Sequence, residues 1–294
     1  MGRDLALRFP EAQAIFEQAD DILGFALSRV AWDGPEELLG DTINTQPALL
    51  VHSTAAWQVL RILLPELRPL YAAGHSMGEL SALVAAGAVD FPDALRLVRR
   101  RGELMKMAGE HSPGGMAAIL GLDIPTLDQI CAQAATPEEP VQVANDNCPG
   151  QVVISGARPA LERALELARS AGARRAVALA VSIPAHSVLM GHAQEAFNQA
   201  VDQTPIRPAS TPILGNVSAA PMQTIAEIKA DLKAQLTSRV RWSESVQWMA
   251  AQGVDTFLEV GSGNVLGGLI RRIDKQLNSI SLGSPADFEP LTTR

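Results

Sequence analysis

Residues 74–78 read Gly74-His75-Ser76-Met77-Gly78, a stretch that matches the nucleophile-elbow pattern G-x-S-x-G. In such an elbow a serine sits on a tight turn between a strand and a helix. We expect Cβ atoms at the two flanking glycines to crowd the turn. An apolar run over 67–73 precedes it, and 79–86 has the composition of a helix. The pattern thus predicts an exposed serine near a helix N-terminus, which favours an oxyanion; the alternative is a plain glycine-flanked turn.

The composition of the whole chain restricts the class of protein. It has 294 residues, of which 47% are hydrophobic and 19% charged, as in a soluble globular protein with a full core. The net charge of −8 argues against a general nucleic-acid binder. No apolar run reaches the roughly 18 residues of a membrane span, and the N-terminus lacks a signal-peptide core. The two cysteines are too few for a disulfide framework, and no metal-ligand cluster is visible. We expect a cytoplasmic protein without a bound metal.

The order of predicted elements changes after residue 112. Residues 113–181 read as strand, helix, strand, strand, helix, strand, which is the ferredoxin-like order. On both sides of this segment the chain contains mostly helices with short apolar strands. The sequence therefore predicts an α/β protein in which a small ferredoxin-like domain, 113–181, is inserted into a large domain formed by 1–112 and 182–294.

A nucleophilic serine needs a base, and the chain has five histidines. His75 adjoins the serine, but we expect the turn to point its ring elsewhere. His52 lies in a helical pattern, His111 in a linker, and nothing local distinguishes His192. His186 follows a strand end in a proline-containing loop, where α/β folds often hold catalytic groups. Spacing alone makes His186 one candidate for the base and does not settle the choice.

Six segments together resemble the malonyl-CoA:acyl carrier protein transacylases and the related acyltransferase domains of polyketide synthases. They occur in the family's order and span nearly the whole chain. The segments are Thr45-Gln46-Pro47-Ala48-Leu49-Leu50, Gly74-His75-Ser76-Met77-Gly78-Glu79, Arg101-Gly102-Glu103-Leu104-Met105, Asn147-Cys148-Pro149-Gly150-Gln151-Val152-Val153-Ile154, Val181-Ser182-Ile183-Pro184-Ala185-His186, and Val240-Arg241-Trp242 through Glu259-Val260-Gly261-Ser262-Gly263. The resemblance implies an α/β-hydrolase-like core with a ferredoxin-like insertion.

The resemblance also implies roles for the reacting groups. Ser76 is the expected nucleophile and His186 its base, in a pair without a third carboxylate. The backbone carbonyl of Gln235 is expected to orient the imidazole, which fixes the tautomer. The amide N–H of Met77 is expected to donate to the oxyanion.

Three further residues match substrate-binding positions of the family. Arg101 is expected to bind the carboxylate of malonyl, because a guanidinium can hold a carboxylate with two hydrogen bonds. For this residue the alternative is a solvated helix face, since Arg101 ends a run of three arginines. Gln46 and Asn147 match polar positions of the pocket, and turn or loop capping is their alternative.

The resemblance implies transfer of malonyl from malonyl-CoA to the phosphopantetheine thiol of acyl carrier protein, through a malonyl-serine. The expected partners are malonyl-CoA and acyl carrier protein, with no nucleic acid, no membrane and no cofactor, and the expected state is a monomer. The alternatives are a serine hydrolase or thioesterase, and a truncated or non-catalytic form. Cations that we expect to meet the acidic carrier protein are Arg96, Arg99, Arg100, Arg271, Arg272 and Lys275.

The chain departs from the family pattern at its N-terminus. Members of the family begin with a strand and a Gly-Gln-Gly-Ser-Gln loop, and neither precedes Met1 here. The glutamine of that loop supplies the second oxyanion amide in the family. Without the strand and the loop, we expect neighbouring strand edges to lack a partner and the oxyanion hole to be incomplete. The explanation that we favour is that the protein starts upstream of this sequence.

Overall fold

The structure is a computed structural model that describes residues 1–292. Its helices are α1 (Arg3–Arg8), α2 (Pro10–Leu23), α3 (Leu27–Asp33), α4 (Glu36–Gly40), α5 (Thr42–Leu63), α6 (Gly78–Ala85), α7 (Phe91–His111), α8 (Ile124–Ala134), α9 (Arg158–Ser170), α10 (Gly191–Gln203), α11 (Ile225–Gln235), α12 (Trp242–Ala251), α13 (Val265–Ile273) and α14 (Pro285–Thr292). Its strands are β1 (Ala72–Ala73), β2 (Gly114–Leu120), β3 (Val141–Cys148), β4 (Gln151–Ala157), β5 (Arg175–Ala178), β6 (Ile213–Leu214), β7 (Pro221–Met222), β8 (Thr256–Val260) and β9 (Asn278–Leu282). Across this range no helix is long and apolar enough to cross a membrane.

The large domain holds the turn that carries Ser76, between β1 and α6. β1 pairs in parallel with β6, which pairs with β7, while β8 and β9 form a separate parallel pair. Residues of both β1 and β8 line a cleft of about 830 Å³. An upstream strand beside them stays a prediction.

The small sheet has the strand order β3-β4-β2-β5, with every neighbouring pair antiparallel. With α8 after β2 and α9 after β4, this is the predicted βαββαβ arrangement. Its apolar side chains form a core of their own, which includes Ile119, Leu127, Ile154 and Leu161. The domain boundaries at residues 113 and 181 stay a prediction.

Helix α5 begins earlier than the sequence suggests. The proline at position 47 predicts a helix from residue 48 onward, yet α5 starts at Thr42, with the Asp41 side chain accepting from Ile43 N. Pro47 therefore lies inside the helix and cannot donate to the Ile43 carbonyl four residues back. Arg99 donates to that carbonyl instead, over 2.9 Å, and so satisfies the freed acceptor. This contact gives Arg99 a structural role between α5 and α7.

Candidate active site

The turn at Ser76 has the geometry of a nucleophile elbow. Ser76 has a φ of 53°, in the left-handed region that non-glycine residues rarely adopt. A Cβ on Gly74 would lie 1.9 Å from the Gly78 carbonyl oxygen, so only glycine fits there. A Cβ on Gly78 would meet open space, so the expectation that it crowds the turn is wrong. Helix α6 begins at Gly78, which places the serine at its N-terminus.

Asn216 holds this turn, and the sequence analysis missed it. Its Oδ1 accepts from Ser76 N at 2.6 Å, and its Nδ2 donates to the Gly74 carbonyl at 2.7 Å. Asn216 follows β6, the parallel partner of β1, and is 3% exposed. The available signal was a polar side chain two residues after a buried strand, since parallel neighbours end at the same sheet edge.

Ser76 and His186 meet although 110 residues separate them. The Ser76 Oγ–His186 Nε2 distance is 2.7 Å, and His186 Nδ1 lies 2.9 Å from the Gln235 carbonyl oxygen. Because that carbonyl can only accept, it places the ring proton on Nδ1 and leaves Nε2 as the acceptor for the serine proton. Like Ser76, His186 has a positive φ, 57°. Both strained residues face each other in the site.

Burial, and then the neighbouring Arg101 charge, lower the pKa of His186 to about 3. The ring is 3% exposed. It is therefore neutral at physiological pH, which is the form that accepts a proton.

Arg101 lies beside the nucleophile and is 1% exposed, so the solvated-face alternative is wrong for this residue. Its Nη2 donates to Ser76 Oγ at 3.0 Å and to Gln235 Oε1 at 2.7 Å. Its Nη1 donates to Gln46 Oε1 at 2.7 Å. Burial lowers the pKa of Arg101 to about 10, which still leaves it charged at neutral pH. Its Nε is buried and has no partner in the described chain.

The remaining predicted residues lie around this centre at different distances from the reacting atoms. Gln46 is buried against Arg101, and its Nε2 also donates to Thr42 Oγ1 at 2.7 Å. Asn147 contacts the elbow at His75, through an Oδ1–His75 Nε2 hydrogen bond of 2.8 Å. This contact directs the His75 ring away from the serine, as expected. The Met77 amide N–H has no acceptor within residues 1–292.

Gln142, on β3 of the small domain, connects the two segments that carry the histidine and its carbonyl partner. Its Nε2 donates to the His186 carbonyl at 3.2 Å and to the Thr237 carbonyl at 3.1 Å. Its Oε1 accepts from Val188 N at 3.1 Å. Sequence reasoning missed Gln142, because its role depends entirely on contacts between distant segments.

The other histidines lie elsewhere. His52 is buried, with Nδ1 2.6 Å from Ser262 Oγ and Nε2 2.8 Å from the Gly283 carbonyl, in agreement with a structural role. His111 and His192 are exposed and their ring centroids lie 3.9 Å apart. Over the described residues no group of three or more His, Cys, Asp or Glu side chains is arranged to hold a metal ion.

A serine on a strained elbow, hydrogen-bonded to a neutral histidine, is the arrangement of enzymes that act through a covalent serine intermediate. The acyl transferase domain family matches residues 1–281, and the chain therefore belongs to that family. This assignment confirms the predicted enzyme class, an acyltransferase.

Two curated relatives illustrate the similarity. The malonyl CoA-acyl carrier protein transacylase of Bacillus subtilis is 44% identical over 289 residues, which cover 98% of this chain and 90% of the relative. The protein of the same name from Haemophilus influenzae is 45% identical over 285 residues, which cover 97% and 91% of the two chains.

Solved structures of similar proteins superpose on nearly the whole chain. The malonyl CoA-acyl carrier protein transacylase of Coxiella burnetii superposes with a TM-score of 0.96 at 36% identity, over 100% of this chain and 92% of that one. A malonyl-transacylase in complex with a type II PKS acyl-carrier protein gives a TM-score of 0.95 at 40% identity, over 99% and 94% of the chains. These matches confirm the predicted fold class, an α/β-hydrolase-like core with a small ferredoxin-like domain.

Proposed function

We propose that this protein transfers a malonyl group from malonyl-CoA to the phosphopantetheine thiol of an acyl carrier protein. The observation that carries the proposal is the buried Arg101 guanidinium, whose Nη2 lies 3.0 Å from the nucleophile Ser76 Oγ. A cation this close to the nucleophile suits an acyl group whose carboxylate lies only one carbon beyond the reacting carbonyl. The names of the relatives and the family assignment support the same substrate pair.

In the first half-reaction Ser76 Oγ attacks the thioester carbonyl and its proton passes to His186 Nε2. The Met77 N–H donates to the oxyanion. The carbon–sulfur bond breaks, and the CoA sulfur leaves with the proton from His186. The product is a malonyl ester on Ser76, whose carboxylate is held by Arg101.

In the second half-reaction the carrier thiol attacks this ester, and its proton passes to His186. The ester bond to Ser76 breaks, and His186 returns the proton to Ser76 Oγ. The malonyl group leaves as a thioester of the carrier. As proposed, these steps use side chains and backbone groups of a single chain and include no metal or redox step.

Gln46 and the Gln235 carbonyl have positioning roles in this proposal. Gln46 holds Arg101, and the carbonyl holds the His186 ring. Asn147 supports the elbow through His75. The proposed contacts for the acidic carrier protein are exposed Arg271 and Arg272 in the last turn of α13, and exposed Lys275 two residues after the helix. Reversing the charge of Arg271 and Arg272 is expected to raise the KM for the carrier protein, and an unchanged KM would contradict this contact.

We also propose a reducing, cytoplasmic location. Cys131 and Cys148 are both free and buried. Burial raises the pKa of the Cys131 thiol to about 12, so it remains an unreactive thiol.

Intact mass spectrometry after mixing with malonyl-CoA tests the central proposal. We expect one malonyl adduct, lost in Ser76→Ala and retained in Ser81→Ala, a matched control whose buried hydroxyl has no partner in the described chain. Addition of holo acyl carrier protein should move the adduct to the carrier. Rapid release of free malonate without a carrier would indicate a hydrolase, and no adduct would indicate a non-catalytic protein.

A further inference from the structure

A pair of buried carboxyl groups lies behind the nucleophile, and the proposed reaction steps do not use it. Glu79, in the first turn of α6, has no exposed surface, and Asp231, on α11, is 5% exposed. Buried carboxylates are costly unless their oxygens are paired. The question is therefore where their negative charge resides.

Both side-chain oxygens of Asp231 accept hydrogen bonds from backbone amides. Its Oδ2 accepts from Val217 N at 3.1 Å and its Oδ1 from Ser218 N at 2.8 Å. The Arg241 guanidinium is close enough for the Asp231 charge to help raise the Arg241 pKa. Hydrogen bonds from backbone amides and a nearby cation both stabilise a carboxylate. The Asp231 side chain thus holds the turn next to Asn216.

Burial of Glu79 and the Asp231 charge favour its neutral form and outweigh the Gln235 hydrogen bond and the Arg101 charge, which favour the ionised form. Its Oε2 accepts from Gln235 Nε2, and its Oε1 is buried with no donor in the described chain. The Asp231 carboxylate lies within hydrogen-bonding reach. Burial, and then the Asp231 charge, raise the pKa of Glu79 well above its ordinary value. A protonated Glu79 can donate a hydrogen bond to Asp231. The pair of carboxyl groups then carries one negative charge.

The side-chain amide of Gln235 is oriented by the acceptors of its Nε2 group, which include Glu79. Gln235 Nε2 donates to Glu79 and to the Ser76 carbonyl at 3.2 Å, so Oε1 faces Arg101 Nη2 at 2.7 Å. The reverse orientation would place an NH₂ group against the guanidinium, where both are donors. Glu79 and the Ser76 carbonyl therefore both hold Nε2 on their side of the amide, so that Arg101 meets an acceptor.

We propose that Glu79 is a positioning residue that fixes the Gln235 amide and, by sharing one negative charge with Asp231, leaves Arg101 unneutralised for a carboxylate of the substrate. The acceptors of Arg101 in the described chain are all neutral: Gln46 Oε1, Gln235 Oε1 and Ser76 Oγ. An ionised Glu79 would partly compensate the guanidinium and weaken its attraction for substrate. The proposal rests on the malonyl-transfer function stated above.

The test compares Glu79→Gln with Glu79→Met. Glutamine reproduces the neutral carboxyl group, because its NH₂ can donate to Asp231 while its oxygen accepts from Gln235. Methionine has a similar volume but makes neither hydrogen bond. The measurement is the ratio of kcat/KM for malonyl-CoA to that for acetyl-CoA, from pH 6 to 9. This ratio does not depend on the fraction of folded enzyme.

We expect Glu79→Gln to keep the wild-type ratio at every pH, and Glu79→Met to lower it about tenfold. If Glu79→Met does not fold, Glu79→Ser replaces it, since the vacated space admits water. An unchanged ratio in the methionine or serine variant would overturn the proposal. A ratio lowered equally in Glu79→Gln and Glu79→Met would also overturn the proposal, because the ionised form of Glu79 would then be the one that the enzyme needs. Failure of the proposed malonyl transfer is distinguishable from failure of the Glu79 proposal, because in the first case the wild-type enzyme would form no malonyl adduct.

Discussion

The site consists of two halves that differ in charge. The nucleophile half contains Ser76, the neutral His186 and the Gln235 carbonyl, and none of these groups carries a charge. The selectivity half contains the charged, buried Arg101 held by the neutral side chains of Gln46 and Gln235. The two halves use different groups, so the roles proposed for them in chemistry and in choice of substrate can be tested separately, although Gln235 takes part in both, through its backbone in one half and its side chain in the other.

The largest effect is expected from His186→Ala, which removes the base of the nucleophile half. The rate constant for malonylation of Ser76 should fall about 10⁴-fold, because the serine loses its proton acceptor. Rapid-quench mass spectrometry of the acyl-enzyme measures this rate.

The matched control is His192→Ala, an exposed histidine in the first turn of α10 whose ring lies beside that of His111. It should acylate at the wild-type rate. If His186→Ala lost less than tenfold, another group would have to be the base.

Arg101→Ala tests the selectivity half. The ratio of kcat/KM for malonyl-CoA to that for acetyl-CoA should fall by about 10- to 100-fold, the effect of removing a hydrogen bond to a charged group. Arg100→Ala is the control, since Arg100 is an exposed neighbour paired with Glu103. An unchanged ratio in Arg101→Ala would contradict the assignment of substrate selectivity to the half that contains Arg101.

The two halves also differ in how far sequence predicts them. The elbow lies within five consecutive residues, so its pattern is readable without knowledge of the fold. His186 and Arg101 reach Ser76 from distant segments, and their roles followed only from the family resemblance. The side-chain contacts of Gln235, Asn216 and Gln142 were not predicted, because hydrogen bonds between separate elements leave no periodicity in the sequence. The helix start at Thr42 was missed since Pro47 disfavours a helix unless Arg99, from α7, satisfies the freed carbonyl.

Asn216→Ala is expected to loosen the elbow and lower kcat about tenfold, because two buried hydrogen bonds to Ser76 N and the Gly74 carbonyl are lost. The malonyl-to-acetyl ratio should stay constant, since Arg101 is not touched. Asn264→Ala is the control, an exposed asparagine without a capping bond at α13. A changed ratio with unchanged kcat would contradict the assignment of Asn216 to the nucleophile half.

The pH dependence should reveal how the halves influence each other. The Arg101 charge helps to lower the pKa of His186 to about 3, so kcat/KM, which reports the free enzyme, should not lose activity through His186 between pH 8 and 5. A bound carboxylate offsets the Arg101 charge, so the acid limb of kcat should move upward by about one pH unit. Acetyl-CoA, which lacks the carboxylate, is the control and should show no such shift. Equal limbs for both substrates would contradict the coupling.

The smallest effect is expected from Gln142→Leu, which removes the contacts of the small domain with the His186 loop. Its three hydrogen bonds hold the His186 loop against the segment after Gln235, so their loss should misplace the imidazole and lower kcat about fivefold. Gln133→Leu, an exposed position on α8 of the same domain, is the matched control and should leave kcat unchanged. Because Gln142 does not contact Arg101, the malonyl-to-acetyl ratio should remain that of the wild type. A fall in this ratio equal to the fall in kcat would mean that the small domain positions the selectivity half as well, and the separation of the two halves would not hold.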